Sequence, residues 1–438
     1  MANSNLATAK NAKNDEFYTQ YPDIQREINA YIAFDPDLFR NKTVLLPCDD
    51  PEWSNFTKFF AQNFENYGIR KLISTSYAIE SKKYQTDWQP TLFETSDPRY
   101  NADRSKRCGK IFTLTRDTNG NGRIDIDDLE WQYMNGDGDF RSAEVCALRD
   151  EADIIITNPP FSLFREFVAW LNDADKKFII IGNMNAITYK EIFPLIKNNR
   201  LWLGVSNGAR EYMRPDGSMQ KMGNTCWFTN IEHGRRHSPL PLMTMEDNIR
   251  FSRHKEIRDV GYLRYDNYDA IEVPYTDAIP SDYTECIGVP ISFLDKYCPF
   301  QYRIIGATES EGRGFSAGLW NPESGISQAM VRGNKVFKRL FIQVVEEEEK
   351  RREEIIELII GMGFERESIS TYSGIMGVPI SFLDKYCPEQ FDIIGHEHDL
   401  AGTGDSESVN QFLVDGKGVF KRILIRNAQL SKNIRIDK

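Results

Sequence analysis

The stretch that decides the fold runs from Ala152 to Leu171, and reads ADIIIT (152–157), NPPF (158–161), SLFREFVAWL (162–171). A short apolar run rich in β-branched residues reads as a strand buried on both faces. Two consecutive prolines then end it, because proline donates no backbone hydrogen bond and suits a turn or the first position of a helix. The residues after the turn carry helical spacing. KKFIIIG (176–182) repeats the buried strand and ITYKEIFPLI (187–196) the helix. Upstream, KTVLLP (42–47) is a strand, CDDPEWSN (48–55) a polar turn, NFTKFFAQNFENYG (55–68) a helix stopped at Gly68, and KLISTSY (71–77) another strand. Strand, turn, helix and strand make a βαβ unit, so the spacing predicts an α/β fold around a parallel sheet. Residues 16–34 suit an amphipathic helix, and RLWLGV (200–205) and NTCWFTNI (224–231) suit strands of the sheet's far half.

The chain has 438 residues, 40% hydrophobic, 12% aromatic and 27% charged, a balance typical of a folded chain with room for two or three domains of roughly 150 residues. No apolar run approaches the ~20 residues of a membrane-spanning helix, so no membrane partner is expected. The N-terminus lacks the apolar core of a secretory signal. Seven cysteines, scattered and without a CxxC pair, exclude a disulfide framework and argue against structural zinc; they read as a reduced, cytoplasmic setting. A net charge of -11 argues against a nucleic-acid binder held by bulk charge. It leaves room for a site-specific one whose cations share a face.

NPPF carries the chemistry. The pattern [NDS]PP[FYW] arises by chance in roughly a few per cent of chains this long, and far less often between a strand and a helix. Such a turn at the carboxyl end of a parallel strand lies in the ligand crevice of an open α/β sheet. The Asn158 side-chain oxygen and the Pro159 carbonyl are acceptors that can hold both hydrogens of an exocyclic amine. Pro159 and Pro160 stiffen the backbone, and Phe161 offers a stacking face worth ~1–3 kcal/mol to a flat base. That offsets much of the cost of extruding a base from a duplex.

On these residues the chain resembles the EcoRI-type adenine-specific DNA methyltransferases, amino-group enzymes with NPPF-type catalytic motifs. The resemblance implies a Rossmann-like domain, S-adenosylmethionine as cofactor, double-stranded DNA as partner, and Asn158, Pro159, Pro160 and Phe161 as the catalytic turn. KNDEFYTQ (13–20) resembles the motif that packs on the cofactor's methionine end, carrying Phe17, Tyr18 and Thr19. VLLPCDDPEWSNF (44–56) resembles the cofactor turn, with Cys48, Asp49 and Asp50, although it lacks the usual glycine-rich pattern. GDFRS (138–142) resembles the motif whose acid, Asp139, and neighbour Phe140 meet the cofactor's adenine. The order of motifs is the γ arrangement, and a separate cognate restriction endonuclease is a natural companion. An RNA or protein-glutamine methyltransferase using the same turn, and a non-catalytic DNA-binding module, are the alternatives.

The expected organisation is a mobile tail at 1–15, a methyltransferase domain at 16–235 with a polar insertion at about 80–150, and an α+β target-recognition region at 236–438. GVPISFLDKYCP occurs at 288–299 and again at 377–388, and VFKRLFIQ (336–343) is echoed by VFKRILIR (419–426). One duplicated module, about 284–343 and 373–426, explains this, with EEEEKRREEIIELII (346–360) as a charged connecting helix. Within the insertion, Asp117, Asn119, Asn121, Asp125 and Asp128 fall at calcium-loop spacing with Gly122 at the sixth position, so a structural calcium ion is expected. The rival reading is an Asx-rich turn. DNA contact is expected from the basic clusters Arg210 and Arg214, Lys221, Arg235 and Arg236, Arg253 and Lys255, Lys335, Lys338 and Arg339, and Lys417, Lys421, Arg422 and Arg426.

Overall fold

A computed structural model describes residues 18–48, 54–78, 98–208, 211–213, 219–309 and 314–345, together with five backbone strands between 376 and 427. Residues 1–343 group into one compact unit and 344–438 into a second. In chain order the first unit begins β1 (Tyr18–Thr19), α1 (Tyr21–Phe34), β2 (Thr43–Leu46), α2 (Asn55–Gln62), β3 (Lys71–Ser76), α3 (Ala102–Arg107), β4 (Lys110–Leu114) and β5 (Glu130–Tyr133). It continues α4 (Ala143–Glu151), β6 (Ile154–Thr157), α5 (Phe164–Asn172), β7 (Lys177–Asn183), α6 (Phe193–Lys197), β8 (Trp202–Asn207), β9 (Glu211–Met213), β10 (Met219–Lys221), β11 (Thr225–Thr229) and α7 (Met245–Phe251).

The main sheet has the order β5-β4-β3-β2-β6-β7-β11-β8. Its middle, β3-β2-β6-β7, is parallel, as the continuous apolar runs predict, and the flanking strands are antiparallel. Ile24, Ile28 and Tyr31 of α1 and Phe56, Phe59 and Phe60 of α2 pack over Val44, Leu46, Leu72, Ile154 and Ile156. Each such side chain contributes roughly 1.5–3 kcal/mol by leaving water.

Three local expectations change. The helix expected from residue 16 starts at Tyr21, with Pro22 in its first turn, and Tyr18 and Thr19 form a strand instead. The helix expected over 187–196 splits into a 3-10 turn, Met184–Thr188, and α6, which starts at Phe193 with Pro194 in its first turn. Proline cannot sit deeper in either helix without removing a hydrogen bond. The stretch read as a polar insertion adds β4 and β5 to the sheet edge, where Phe112 faces Trp131.

A second sheet in the same unit follows from β12 (Leu263–Arg264), β13 (Ile271–Glu272), β14 (Ile287–Pro290), β15 (Tyr302–Ala307), the hairpin β16 (Met330–Val331) and β17 (Asn334–Lys335), and β18 (Arg339–Val344). Its order is β12-β13-β14-β18-β15, with Gly288 opposite Phe341 and Pro290 opposite Arg339. Arg339 and Glu272 are both buried and joined by contacts of 2.6–3.1 Å, and the Tyr265 hydroxyl also donates to Glu272.

The second unit contains β19 (Met376–Pro379), β20 (Phe391–His396), β21 (Leu413–Val414), β22 (Lys417–Gly418) and β23 (Arg422–Asn427). Its sheet is β19-β23-β20, with Gly377 opposite Leu424 and Pro379 opposite Arg422, beside a β21-β22 hairpin. The charged segment 346–360 lies outside the described residues. Among the described residues no helix is long and apolar enough to cross a membrane.

Removing one partner of a buried ion pair strands the other, so Glu272→Ala should cost on the order of 3–5 kcal/mol, while Glu272→Leu combined with Arg339→Met should lie much closer to neutral. Urea unfolding of both variants checks this. An E272A midpoint equal to the parent's would detach the pair from the stability of the sheet.

Candidate active site

Val44 pairs with Ile154 and Leu45 with Ile155, so Cys48 and Asn158, each three residues further on, leave the sheet at the same edge. From β2 the chain goes on to β3 on one side, and from β6 to β7 on the other. The order therefore reverses between β2 and β6, the switch point at which open α/β sheets take their ligands. The Thr157 hydroxyl donates to the Pro47 carbonyl and ties the two strand ends together. Asn158 Oδ1 is buried there. The Phe161 ring meets the Tyr212 ring edge-on at 6.4 Å.

Tyr212 also pairs across β1 and β9 with Thr19, as Met213 does with Tyr18. Tyr212 thus links the expected methionine-end motif to the NPPF turn. Thr19 is buried and its carbonyl accepts from Asn55 Nδ2 at 2.8 Å, at the start of α2, where Ser54 caps the Phe56 N–H. Cys48 holds a φ of +71°, the left-handed region that favours glycine. The backbone of this turn thus takes the shape that a glycine-rich turn allows, although its sequence has no glycine. Phe17, Asp49 and Asp50 lie outside the described residues.

The GDF motif reaches the same edge. Gly138 has a φ of +83°, and a Cβ there would stand 2.4 Å from the carbonyl of Ser76, the last residue of β3. Asp139 accepts from Arg141 Nε at 2.8 Å and Nη2 at 2.6 Å, and Arg141 Nη1 reaches Glu166 of α5 at 2.9 Å. The hydrogen bond to Asp139 raises the Arg141 pKa further, so the guanidinium stays charged. Phe140 is buried, with ring centroids 5.0 Å from Phe167 and 5.6 Å from Trp170. It packs the motif onto α5.

Sequence reading missed Tyr212, Arg141 and Glu27. Glu27 is fully buried and accepts from the Val205 N–H (2.8 Å), the Ser206 N–H (2.7 Å) and the Ser206 hydroxyl (2.6 Å). These groups lie where β8 shifts register against β11, so Glu27 supplies acceptors beside the irregular ladder. Burial raises its carboxyl pKa against the lowering effect of these bonds. The available signal was an acid among Ile24, Ile28 and Tyr31 on the apolar face of α1, since unpaired acids are almost never buried.

The calcium expectation finds no support. The Asp117 carboxylate accepts from the Gly120 and Gly122 N–H groups at 2.6 and 2.8 Å, Asn119 from the Asn121 N–H, Asn121 from the Arg123 N–H, and Asp125 from the Asp127 N–H. Asp128 accepts from the backbone of Thr118, Asn119 and Asp125 and from the Thr118 hydroxyl. The oxygens meant for a cation close the loop on its own backbone, as Asx turns do. Among the described residues no cluster of three or more His, Cys, Asp or Glu could hold a metal ion. Desolvation pushes the Asp128 carboxyl up, and its hydrogen bonds outweigh that and hold it below the usual aspartate range.

Several expected DNA-facing cations bond to groups of this chain, Arg236 and Arg339 in the interior and Arg253 at the surface. Arg236 is buried, bonds Glu232 at 3.0 Å and Asn199 at 2.7 Å, and lies 3.7 Å over the Trp202 ring. Arg235 donates to the Val205 carbonyl. Arg339 pairs with Glu272, Arg253 pairs with Asp277 at 2.7 Å, and Lys338 Nζ donates to Thr188 Oγ1 at 2.5 Å. Arg210, Arg214 and Lys421 lie outside the described residues.

Three melting measurements follow from this geometry. Cys48→Gly should hold or raise the melting temperature, because a non-glycine residue in the left-handed region costs roughly 1–2 kcal/mol, while Cys48→Val should lower it. Asp128→Asn should lower the melting temperature at neutral pH. A depressed folded pKa gives stability that is present above the unfolded value and lost as pH falls through the folded one. The gap between parent and variant should therefore close on acidification below the ordinary value of 3.8. A gap constant from pH 7 to 3 would contradict the ionised-cap account. Millimolar calcium and chelator should give the same melting curve.

Comparison with known proteins completes the picture. The sequence profile described as "Adenine-specific methyltransferase EcoRI" matches residues 5–357 and 365–436. The chain is 39% identical over 320 residues to Type II methyltransferase M.EcoRI of Escherichia coli, covering 69% of this chain and 89% of that protein. It is 32% identical over 315 residues to Type II methyltransferase M.MpnI of Mycoplasma pneumoniae, covering 68% and 83%, and 29% identical over 355 residues to M.MgeORF184P of Mycoplasma genitalium, covering 77% and 96%. No solved structure matches the chain. A mixed sheet with its switch point between β2 and β6, an NPPF turn at that point and a profile match along nearly the whole chain lead to one conclusion: the chain belongs to the EcoRI family of adenine-specific DNA methyltransferases.

Proposed function

We propose that the chain methylates the exocyclic amine of an adenine swung out of double-stranded DNA and held at the turn from Asn158 to Phe161. The observation that carries this reading is the pairing of Val44 with Ile154, which sets the cofactor turn beside the catalytic turn. Asn158 Oδ1 and the Pro159 carbonyl accept the two amine hydrogens and leave the nitrogen lone pair facing away from the turn. Pro159 and Pro160 keep both acceptors aimed, so little reorganisation accompanies reaction. Phe161, backed by Tyr212, stacks on the base. The polar groups at this edge suit S-adenosylmethionine, with the Asp139 carboxylate, steadied by Arg141, accepting from the adenine amine, and Tyr18, Thr19 and the Cys48 turn at the methionine end. When bound, that cofactor supplies an electrophilic methyl group. Phe17, Asp49 and Asp50 complete the cofactor set in this reading.

Residues 16–235 form the methyltransferase domain and 236–438 the target-recognition region. Support for a duplicated module comes from β19-β23-β20, whose residues Gly377 and Pro379 pair as Gly288 and Pro290 do in β14-β18-β15. The setting is cytoplasmic, and the modification protects DNA from a separately encoded endonuclease.

Asn158→Ala should cut methyl transfer about 10²–10³-fold, the usual cost of losing one preorganised polar group at a reacting centre, with cofactor affinity within a few-fold of the parent. Labelled S-adenosylmethionine, genomic DNA and nucleoside analysis give the readout. Methyl label on a base other than adenine, or near-normal N158A turnover, would overturn the assignment. Phe161→Ala should weaken capture of the extruded base, seen as a smaller fluorescence rise from 2-aminopurine at the target. Phe161→Trp should be milder.

A further inference from the structure

Phe337 is 59% exposed, yet the backbone carrying it is pinned on every side. The Val336 N–H donates to the Ala329 carbonyl at 2.9 Å, and the Val336 carbonyl accepts from Gln328. The Phe337 carbonyl accepts from the buried Arg339 guanidinium at 2.9 Å, itself fixed by Glu272. The next residue, Lys338, is anchored on Thr188 at 2.5 Å. Just before it, the β16-β17 hairpin has its tip closed by Asp266, whose carboxylate accepts from the Arg332 and Gly333 N–H groups. Arg332 and Lys335, on the hairpin that leads into Phe337, are exposed.

The place of this hairpin follows from the sheet. Thr157 pairs with Ile180, so the end of β7 and the 3-10 turn Met184–Thr188 lie on the edge that carries Asn158. Thr188 closes that turn and binds Lys338. Tyr189, next in the chain, lies under Arg165, 4.0 Å from guanidinium carbon to ring centroid, and Arg165 sits in the first turns of the helix after NPPF. A path of two side-chain contacts and neighbouring chain positions therefore runs from the helix after NPPF to Phe337.

We propose that Phe337 is a DNA-stacking contact outside the catalytic turn: its ring packs on a base face uncovered near the swung-out adenine while Arg332 and Lys335 meet the adjoining phosphates. This rests on the reading that duplex DNA lies across the carboxyl edge of the sheet. A rigid exposed aromatic loses little entropy on binding, which makes it an efficient anchor. The exposed cations of the hairpin match a polyanion, while Asp266, the acid at its tip, is turned onto backbone N–H groups. Stacking on a base needs no hydrogen-bond readout and tolerates any sequence.

The test uses the full chain. The parent first methylates genomic DNA, which maps its site, and binding is then measured on a duplex of about three helical turns containing that site. Phe337→Ala should weaken duplex affinity on the order of tenfold, within the roughly 5–150-fold span that losing one base–aromatic stack covers. Its S-adenosylmethionine affinity and melting temperature should match the parent's, and Phe337→Trp should stay within a few-fold on all three measures. Unchanged duplex affinity in F337A would overturn the proposal. So would a lowered melting temperature without loss of DNA binding, which would mean that the ring is covered by the chain's own residues. A parent that methylates no DNA would instead remove the underlying reading.

Discussion

Two strands far apart in sequence, Thr43–Leu46 and Ile154–Thr157, lie side by side and point the same way, and the site depends on that pairing. The Asp153 carboxylate accepts from the Thr43 N–H at 2.7 Å at one end, and the Thr157 hydroxyl reaches the Pro47 carbonyl at the other. Between these ties every residue of both strands is buried, so a slip in register would move polar ends into the core and apolar residues out of it. The turn after each strand is therefore delivered to the same place. Because the chain departs from the two strands in opposite directions, the helices that follow leave a crevice at this edge.

The same edge is furnished by less regular means. Gly138 lets the GDF loop approach the end of β3 closely, and Cys48 accepts a left-handed backbone. Glu27 reaches across from α1 to the end of β8, and the β9 strand that follows carries Tyr212 between Thr19 and Phe161. Cys48 and Glu27 each cost something locally, through strained backbone or a buried carboxylate, and persist because the surrounding packing holds them.

Charge is organised by the same logic. An acidic chain that acts on DNA has to concentrate cations where phosphates come. Yet Arg236, Arg339 and Arg141 each face a carboxylate of their own chain, at Glu232, Glu272 and Asp139. Arg339 is structural in a direct sense: it closes the buried end of one sheet and, through the Phe337 carbonyl, stiffens an exposed aromatic. Buried ion pairs add little net stability over apolar substitutes, but losing one member is costly, so such pairs commit the fold to one arrangement.

Local sequence determined the parts that depend on local physics. Apolar runs bounded by turn residues marked β2, β3, β6, β7, β8 and β11, and the strand-turn-helix around Asn158 marked the parallel core of the sheet and the family. Where proline set a helix start, at Pro22 and Pro194, the rule was present in the sequence and stronger than the apolar pattern. Oxygen spacing over 117–128 could not distinguish a cation from the loop's own N–H groups, because both take the same lone pairs and only the backbone path shows which are in reach. Basic clusters such as Arg235 with Arg236 looked like surface, because a cation's partner is chosen in three dimensions: Glu232, Asn199 and Trp202 surround Arg236 only once β8 and β11 have paired. Tyr212, Glu27 and Arg141 carry no motif and act on residues remote in sequence or on groups already engaged. Their places were decided by tertiary structure alone, since sheet register and burial, rather than any local preference, set what each side chain meets.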